Sequence, residues 1–264
     1  MLIKAFPNAT LLLNSFPECR RTVGKRITGH FLTHIAARVP IDKFDKWHEA
    51  TKSLQIGAHY LAGEHPETKK QYHVQVTAIH SPNPETDTDD AARECPDYAA
   101  AATFAQLKGS EKHVVFGKCS PLLLQTLNCL PWSLGIVCAS LGEFTEDNPN
   151  SHFRMNKGND PTTNVTLQYT LTEDDRKLWD IMDEATYQTI EKMAGNGNAG
   201  DIEYWDDTHG WVRDRLDVRS IRIPGIVHEA SSAYVGPEED GGSLDELYRP
   251  HGVKNVVSHI FPAV

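Results

Sequence analysis

Apolar and polar residues alternate most regularly in "TNVTLQYTLT" (163–172), where Val165, Leu167, Tyr169 and Leu171 share one side and Thr166, Gln168 and Thr170 the other. A period of two belongs to a strand with one wet face, so a half-exposed antiparallel strand is predicted there. Weaker alternation marks "YHVQVTAIH" (72–80) and "HFLTHIAARV" (30–39), the latter with Phe31, Ile35 and Val39 opposed to His30, His34 and Arg38. Several strands apolar on one face favour an antiparallel sheet over a buried parallel one. After Thr172 the period changes: Leu178, Ile181, Met182, Ala185, Thr189 and Met193 recur at helical spacing, and Thr172 with Asp175 forms a capping-box-like start. A helix of about six turns is predicted from Glu173 to Ala194. A second is expected in "DTDDAARECPDYAAAATFAQLKG" (87–109), acidic in its first turns and kinked or divided at Pro96. The fold class expected is α+β, a large antiparallel sheet with helices packed on one face.

Composition narrows the partners. The 264 residues are 39% hydrophobic and 23% charged, near the globular norm, and long enough to bury a real core. A formal net charge of −10, with no basic stripe interleaved with aromatics, makes nucleic acid a poor partner. Pro7, Asn8 and Asn14 interrupt the apolar N-terminal run before it reaches signal-peptide length, and Pro121, Asn128 and Pro131 break the apolar stretch 119–141. No export signal or membrane span is read, and a cytoplasmic protein is expected. Cys19, Cys95, Cys119, Cys129 and Cys138 form no CxxC pair and are read mostly as free thiols.

Several motifs invite a chemical reading and lose it in context. "GNGNAG" (195–200) matches GxGxxG, and Asp217 lies near the distance of a ribose-binding acid. These glycines follow a predicted helix instead of a strand, so they read as a helix C-cap and loop. His30 and His34 have i, i+4 spacing, but no third ligand is identifiable and no metal site is assigned. "EYWDDTHGW" (203–211) is read as a loop of clustered turn-formers. No GxSxG elbow accompanies Ser15, Ser231 or Ser232. His228 is the remaining candidate: Pro224, Gly225, Ser231 and Ser232 suggest a turn exposing its imidazole, a natural proton acceptor near neutral pH.

Two end segments carry a family resemblance. "HEASSAYVGPEEDGGSLDELYRPHGVKNV" (228–256) resembles the C-terminal region of the glucose-methanol-choline (GMC) oxidoreductases, flavoenzymes that oxidise alcohols. "ATLLLNSFPECRRTVGKRITGHFLTH" (9–34) is similar to the stretch where the family passes a "VGK.L.DH" motif into its substrate domain, and the region between resembles the substrate domain of fungal members. The resemblance implies a sheet of about six strands, FAD as cofactor, and a small alcohol or sugar-like donor whose hydride passes to the flavin. By position it implies that His228 is the catalytic residue removing the hydroxyl proton; it assigns no cofactor-binding residue in this chain. Residues 1–30 would be an edge of the flavin domain and 31–264 the substrate domain, with an insertion at 117–135. The Rossmann-like flavin half is expected upstream of Met1, and a second catalytic His or Asn beyond "VSHIFPAV". On that expectation the isolated chain is inactive, and the face left by the missing half favours self-association.

Overall fold

The computed structural model describes residues 5–40, 55–80, 89–90, 93, 133–195 and 197–258. Among them are helices α1 (Ala5–Ser15), α2 (Glu173–Ala194) and α3 (Val218–Ile221). The strands are β1 (Thr28–Pro40), β2 (Gln55–Glu64), β3 (Gln71–His80), β4 (Ser133–Glu143), β5 (His152–Met155), β6 (Val165–Gln168), β7 (Glu203–Asp206), β8 (Gly210–Val212) and β9 (Arg222–Ala230). The class is α+β with a large antiparallel sheet. Seven strands share that sheet in the order β2-β3-β4-β1-β7-β8, with β9 also paired to β1, while β5 and β6 form a separate two-stranded ribbon. Gln55 lies opposite His80 and Glu64 opposite Gln71 in the β2–β3 pair, and Ala37 opposite Tyr204 in β1–β7.

Backbone contacts divide the chain into two units, Met1–Phe31 with Gly142–Trp179 and Pro224–Val264, and Leu32–Leu141 with Asp180–Ile223. In the second unit, alternate residues Ile35, Ala37 and Val39 of β1 join Val74 and Val76 of β3, Ile136 and Cys138 of β4, and Tyr187, Ile190 and Ala194 of α2 in one buried cluster. These are period-two positions on strands and i, i+3, i+4 positions on a helix, so the core follows from the pattern of side chains.

The first unit packs α1 through Ala9, Leu12 and Leu13 against Val23, Ile27, Phe153 and Leu244. Gly24 closes this core. A Cβ there would lie 1.9 Å from the Phe153 carbonyl oxygen, and φ is +78°, so no other residue fits the turn. Its N–H donates to the Ser232 carbonyl at 2.6 Å and its own carbonyl accepts from Phe153 N–H at 2.9 Å. The start of α2 also lies in this unit. Asp175 N–H donates to Thr172 Oγ1 (3.1 Å), and Asp175 accepts from Thr172 N–H (2.8 Å), Thr145 N–H (3.0 Å) and Thr145 Oγ1 (2.7 Å). Asp175→Ala strands these donors and is expected to cost about 1–3 kcal/mol by denaturant unfolding, where a loss under about 0.5 kcal/mol would mark the box as incidental.

The helix runs from Glu173 to Ala194 as the periodicity predicts. Leu178 and Met182 are fully buried, and Ile181 and Ala185 half-buried. Other expectations need correction. The alternating segment 163–172 pairs only over Val165–Gln168, in the ribbon with β5, and Leu167 is exposed. Strand pairing stops there because Ser151 Oγ takes the Thr170 N–H (3.0 Å) and Asn148 Nδ2 its carbonyl. "EYWDDTHGW" is a β-hairpin, not a loop: Trp205 stands opposite Trp211 with ring centroids 5.2 Å apart, and Asp206 Oδ1 accepts from the N–H groups of Thr208 and His209 in the turn. The segment around His228 is strand β9, not a turn. Of the predicted second helix, only Asp89, Asp90 and Arg93 are described, and they are helical; of the insertion at 117–135, residues 133–135 open β4, and the rest lies outside the described residues. Cys19 is a buried free thiol, and Cys138 is buried in the core of the second unit. No helix among the described residues is long and apolar enough to cross a membrane.

Candidate functional site

His228 departs from the extended backbone of its strand. Its φ is +56°, and Ser231 three residues later has φ +59°. A left-handed conformation costs an L-residue about 1–2 kcal/mol, and such outliers concentrate where a side chain must be aimed. Here the imidazole is exposed and meets His30 of β1, with Nδ1 atoms 3.2 Å apart and the rings edge-to-face at 5.4 Å between centroids. The two residues are 198 positions apart in the chain.

Around this pair, further contacts tie the 22–30 stretch to the 228–240 stretch within one unit. Arg26 forms an ion pair with Glu146 at 3.0 Å, donates to the Asp240 carbonyl at 3.1 Å and covers the Tyr234 ring at 4.2 Å. Glu146 also accepts from Ser231 Oγ at 2.9 Å. Arg26 and Glu146 therefore hold the backbone immediately after His228, and the Gly24–Ser232 hydrogen bond adds a main-chain tie. Tyr169 contributes a phenol whose oxygen is buried without a hydrogen-bond partner among the described residues. Burial, and then the Glu229 carboxylate, push its pKa far upward, so it stays a neutral phenol at any working pH.

Two imidazoles joined through Nδ1 share one hydrogen. When His228 donates, its Nδ1 carries the proton and its Nε2 lone pair faces outward as a base; when His30 donates, the His228 Nε2 carries the proton instead. The tautomers of His30 and His228 are therefore coupled, as those of a base and its partner are in catalytic pairs. The arrangement can take a proton from a hydroxyl brought to Nε2.

The remaining candidates resolve into structural roles. Gly195, at φ +88°, ends α2, and Asn198 Nδ2 donates to the Ala194 carbonyl at 2.8 Å, so the GxGxxG-like run is a helix C-cap leading into the short 3₁₀ turn Ala199–Asp201. Asp217 caps α3 by accepting from Arg219 N–H at 2.8 Å. The Ser231 hydroxyl is committed to Glu146, and Ser232, buried, donates to the Ala5 carbonyl at 3.0 Å. His30 and His34 lie on strand β1, not on a helix, and no group of three metal-ligating side chains occurs among the described residues. FAD needs backbone N–H groups at a strand-to-helix glycine turn for its pyrophosphate. The glycine run here has the opposite order, so the described residues do not fit FAD.

The sequence singles out His228 as a candidate but gives no sign of its contact with His30. In the sequence His30 has only His34 at a suggestive spacing, and Arg26 and Glu146 carry no signal, because nothing local ties them to a histidine near the other end of the chain. Compared with known proteins, the chain matches no family model and no curated protein.

Proposed function

We propose that this chain is the substrate-side portion of an FAD-dependent oxidoreductase of the GMC type, acting on the CH–OH group of an alcohol or sugar-like donor, with His228 as the base for the hydroxyl proton. The observation that carries this reading is the meeting of His30 and His228. They belong to the two sequence stretches that carry the resemblance, and the fold brings their Nδ1 atoms to 3.2 Å. His228, exposed and held in a left-handed conformation, is the group a substrate can reach. Proton transfer is the part of the reaction these residues can perform.

A second reading has its own support. Because the described residues do not fit FAD, the same fold also suits a catalytically inactive domain that binds a small molecule or protein partner.

One titration tests the first reading, and a second measurement separates the two. Histidine-ring NMR of the chain should show a saturable shift of the His228 imidazole on adding an alcohol from an aliphatic, aromatic and sugar panel. A panel that leaves the ring unmoved counts against the substrate role. Purified with excess FAD, the chain is expected to keep no flavin absorbance and to oxidise an alcohol only when a flavin-binding chain is supplied. Absence of turnover in that mixture, with alcohol binding intact, favours the inactive reading.

A further inference from the structure

On the first unit, a cleft of about 580 Å³ lies between the Val23–Arg26 turn and strand β5, within the size range of small-molecule sites. Its charge runs against that of the molecule. Arg20, Lys25, Arg26 and Arg154 line it with Asp147 as the acidic counterpart, in a chain of net charge −10. Arg26 is spoken for by Glu146. Arg20, Lys25 and Arg154 have no ion-pair partner among the described residues. Three uncompensated cations at the rim of one cleft raise the local concentration of anions, which the surface as a whole repels.

The floor differs in kind. Leu13, Val23, Phe153 and Met155 supply apolar surface beneath the rim. His152 lines the same cleft, and its Nε2 is buried without a hydrogen-bond partner among the described residues, so a polar atom there remains to be satisfied. Burial, with the Arg154 and Lys25 charges adding to it, holds this imidazole below its ordinary value, so at neutral pH it is an uncharged donor or acceptor. A solvated basic face needs neither an apolar floor nor a buried unsatisfied nitrogen.

We propose that this cleft is a binding site for a small organic phosphate, its anionic head held by Lys25, Arg154 and Arg20 and its apolar body seated on Leu13, Val23 and Phe153. A phosphate dianion suits the charge at the rim, and guanidinium groups meet phosphate oxygens in two-point contacts. The proposal does not rest on the oxidoreductase reading: His228 and His30 are not among the lining residues, although Gly24 and Arg26 line the cleft and also support the backbone near His228.

The test is calorimetric titration of the full chain with hexyl phosphate, inorganic phosphate and hexanol. Hexyl phosphate is expected to bind with a sub-millimolar Kd, at least about 10-fold more tightly than either fragment. Lys25→Glu and Arg154→Glu change exposed side chains, so the fold is retained, and each should weaken hexyl phosphate at least about 10-fold. Lys177→Glu, an equal charge change at an exposed residue outside the cleft, should alter it less than about 3-fold. The proposal is overturned by absence of binding at millimolar hexyl phosphate, by equal weakening in Lys177→Glu, or by either fragment binding as tightly as the ester.

Discussion

Replacing Arg222 with methionine is expected to destabilise the protein by about 3 kcal/mol, the low end for breaking a buried ion pair. Arg222 sends Nε to Asp183 Oδ2 at 2.8 Å and Nη2 to the same oxygen at 2.6 Å, while Thr33 Oγ1 donates to Asp183 Oδ1 at 2.5 Å. The side chains of Arg222 and Asp183 are 19% and 10% exposed, so neither charge is well hydrated. The contact from Arg222 to Asp180 contributes little, because Asp180 is largely in solvent. In the wild type, burial already pushes the Asp183 carboxyl up, opposed by the Thr33 and Arg222 hydrogen bonds. Methionine keeps much of the packing volume and removes the cation, so the acidity of Asp183 falls further.

The sign of the pH dependence follows. A carboxyl whose folded pKa is raised favours the folded state fully below its unfolded pKa of about 3.9, and that contribution is lost as pH rises through the folded value. The Arg222→Met penalty should therefore be small in acid and full at neutral pH. Adding Asp183→Asn to Arg222→Met should recover at least about 1 kcal/mol at pH 7, because it removes the uncompensated charge. Denaturant midpoints with an unchanged m-value check this. A penalty independent of pH would place the cost in lost packing and sink the electrostatic account.

Elements whose signal is local were legible in the sequence. Thr172 and Asp175 announce the start of α2, the glycine at 195 its end, and the apolar spacing between them needs no tertiary information. The alternation of β1 and β3 was legible for the same reason: Ile35, Ala37, Val39, Val74 and Val76 face one core. Alternation does not say which sheet receives a strand. The segment 163–172 has the cleanest pattern, yet it pairs only over four residues, because Asn148 and Ser151 capture the backbone of Thr170. The β7–β8 hairpin hid behind Asp206, Asp207 and Gly210, turn-formers that serve a tight connection between Tyr204 and Trp205 on one side and Trp211 and Val212 on the other. For the site, the exposure of His228 was readable from its small and turn-forming neighbours, but its strand setting and its partner were not. Pairing of β9 with β1 is a long-range event, and neither His30 nor Glu146 bears any local mark of it.

On the proposed oxidoreductase reading, His228→Ala is expected to lower kcat for alcohol oxidation by about 10²- to 10⁴-fold, the usual weight of a positioned general base, when activity is measured with a flavin-binding chain supplied separately. On that reading His30 would act through the tautomer of its neighbour as a positioning residue, so His30→Ala should lower kcat less and change the pH profile. Loss of activity alone does not distinguish a base from a structural prop, so stability supplies the second readout. His228 sits at φ +56°, where an L-residue is strained by about 1–2 kcal/mol, and glycine removes that strain while adding about 0.5–1 kcal/mol of unfolded-chain entropy. His228→Gly should accordingly be as stable as the wild type, or up to about 1 kcal/mol more stable, in denaturant unfolding of this chain by itself. A base held at a cost to the fold behaves in that way: activity falls and stability does not. If His228→Gly instead loses more than about 1 kcal/mol, the imidazole is a structural element of the contact with His30, and its assignment as the proton acceptor fails.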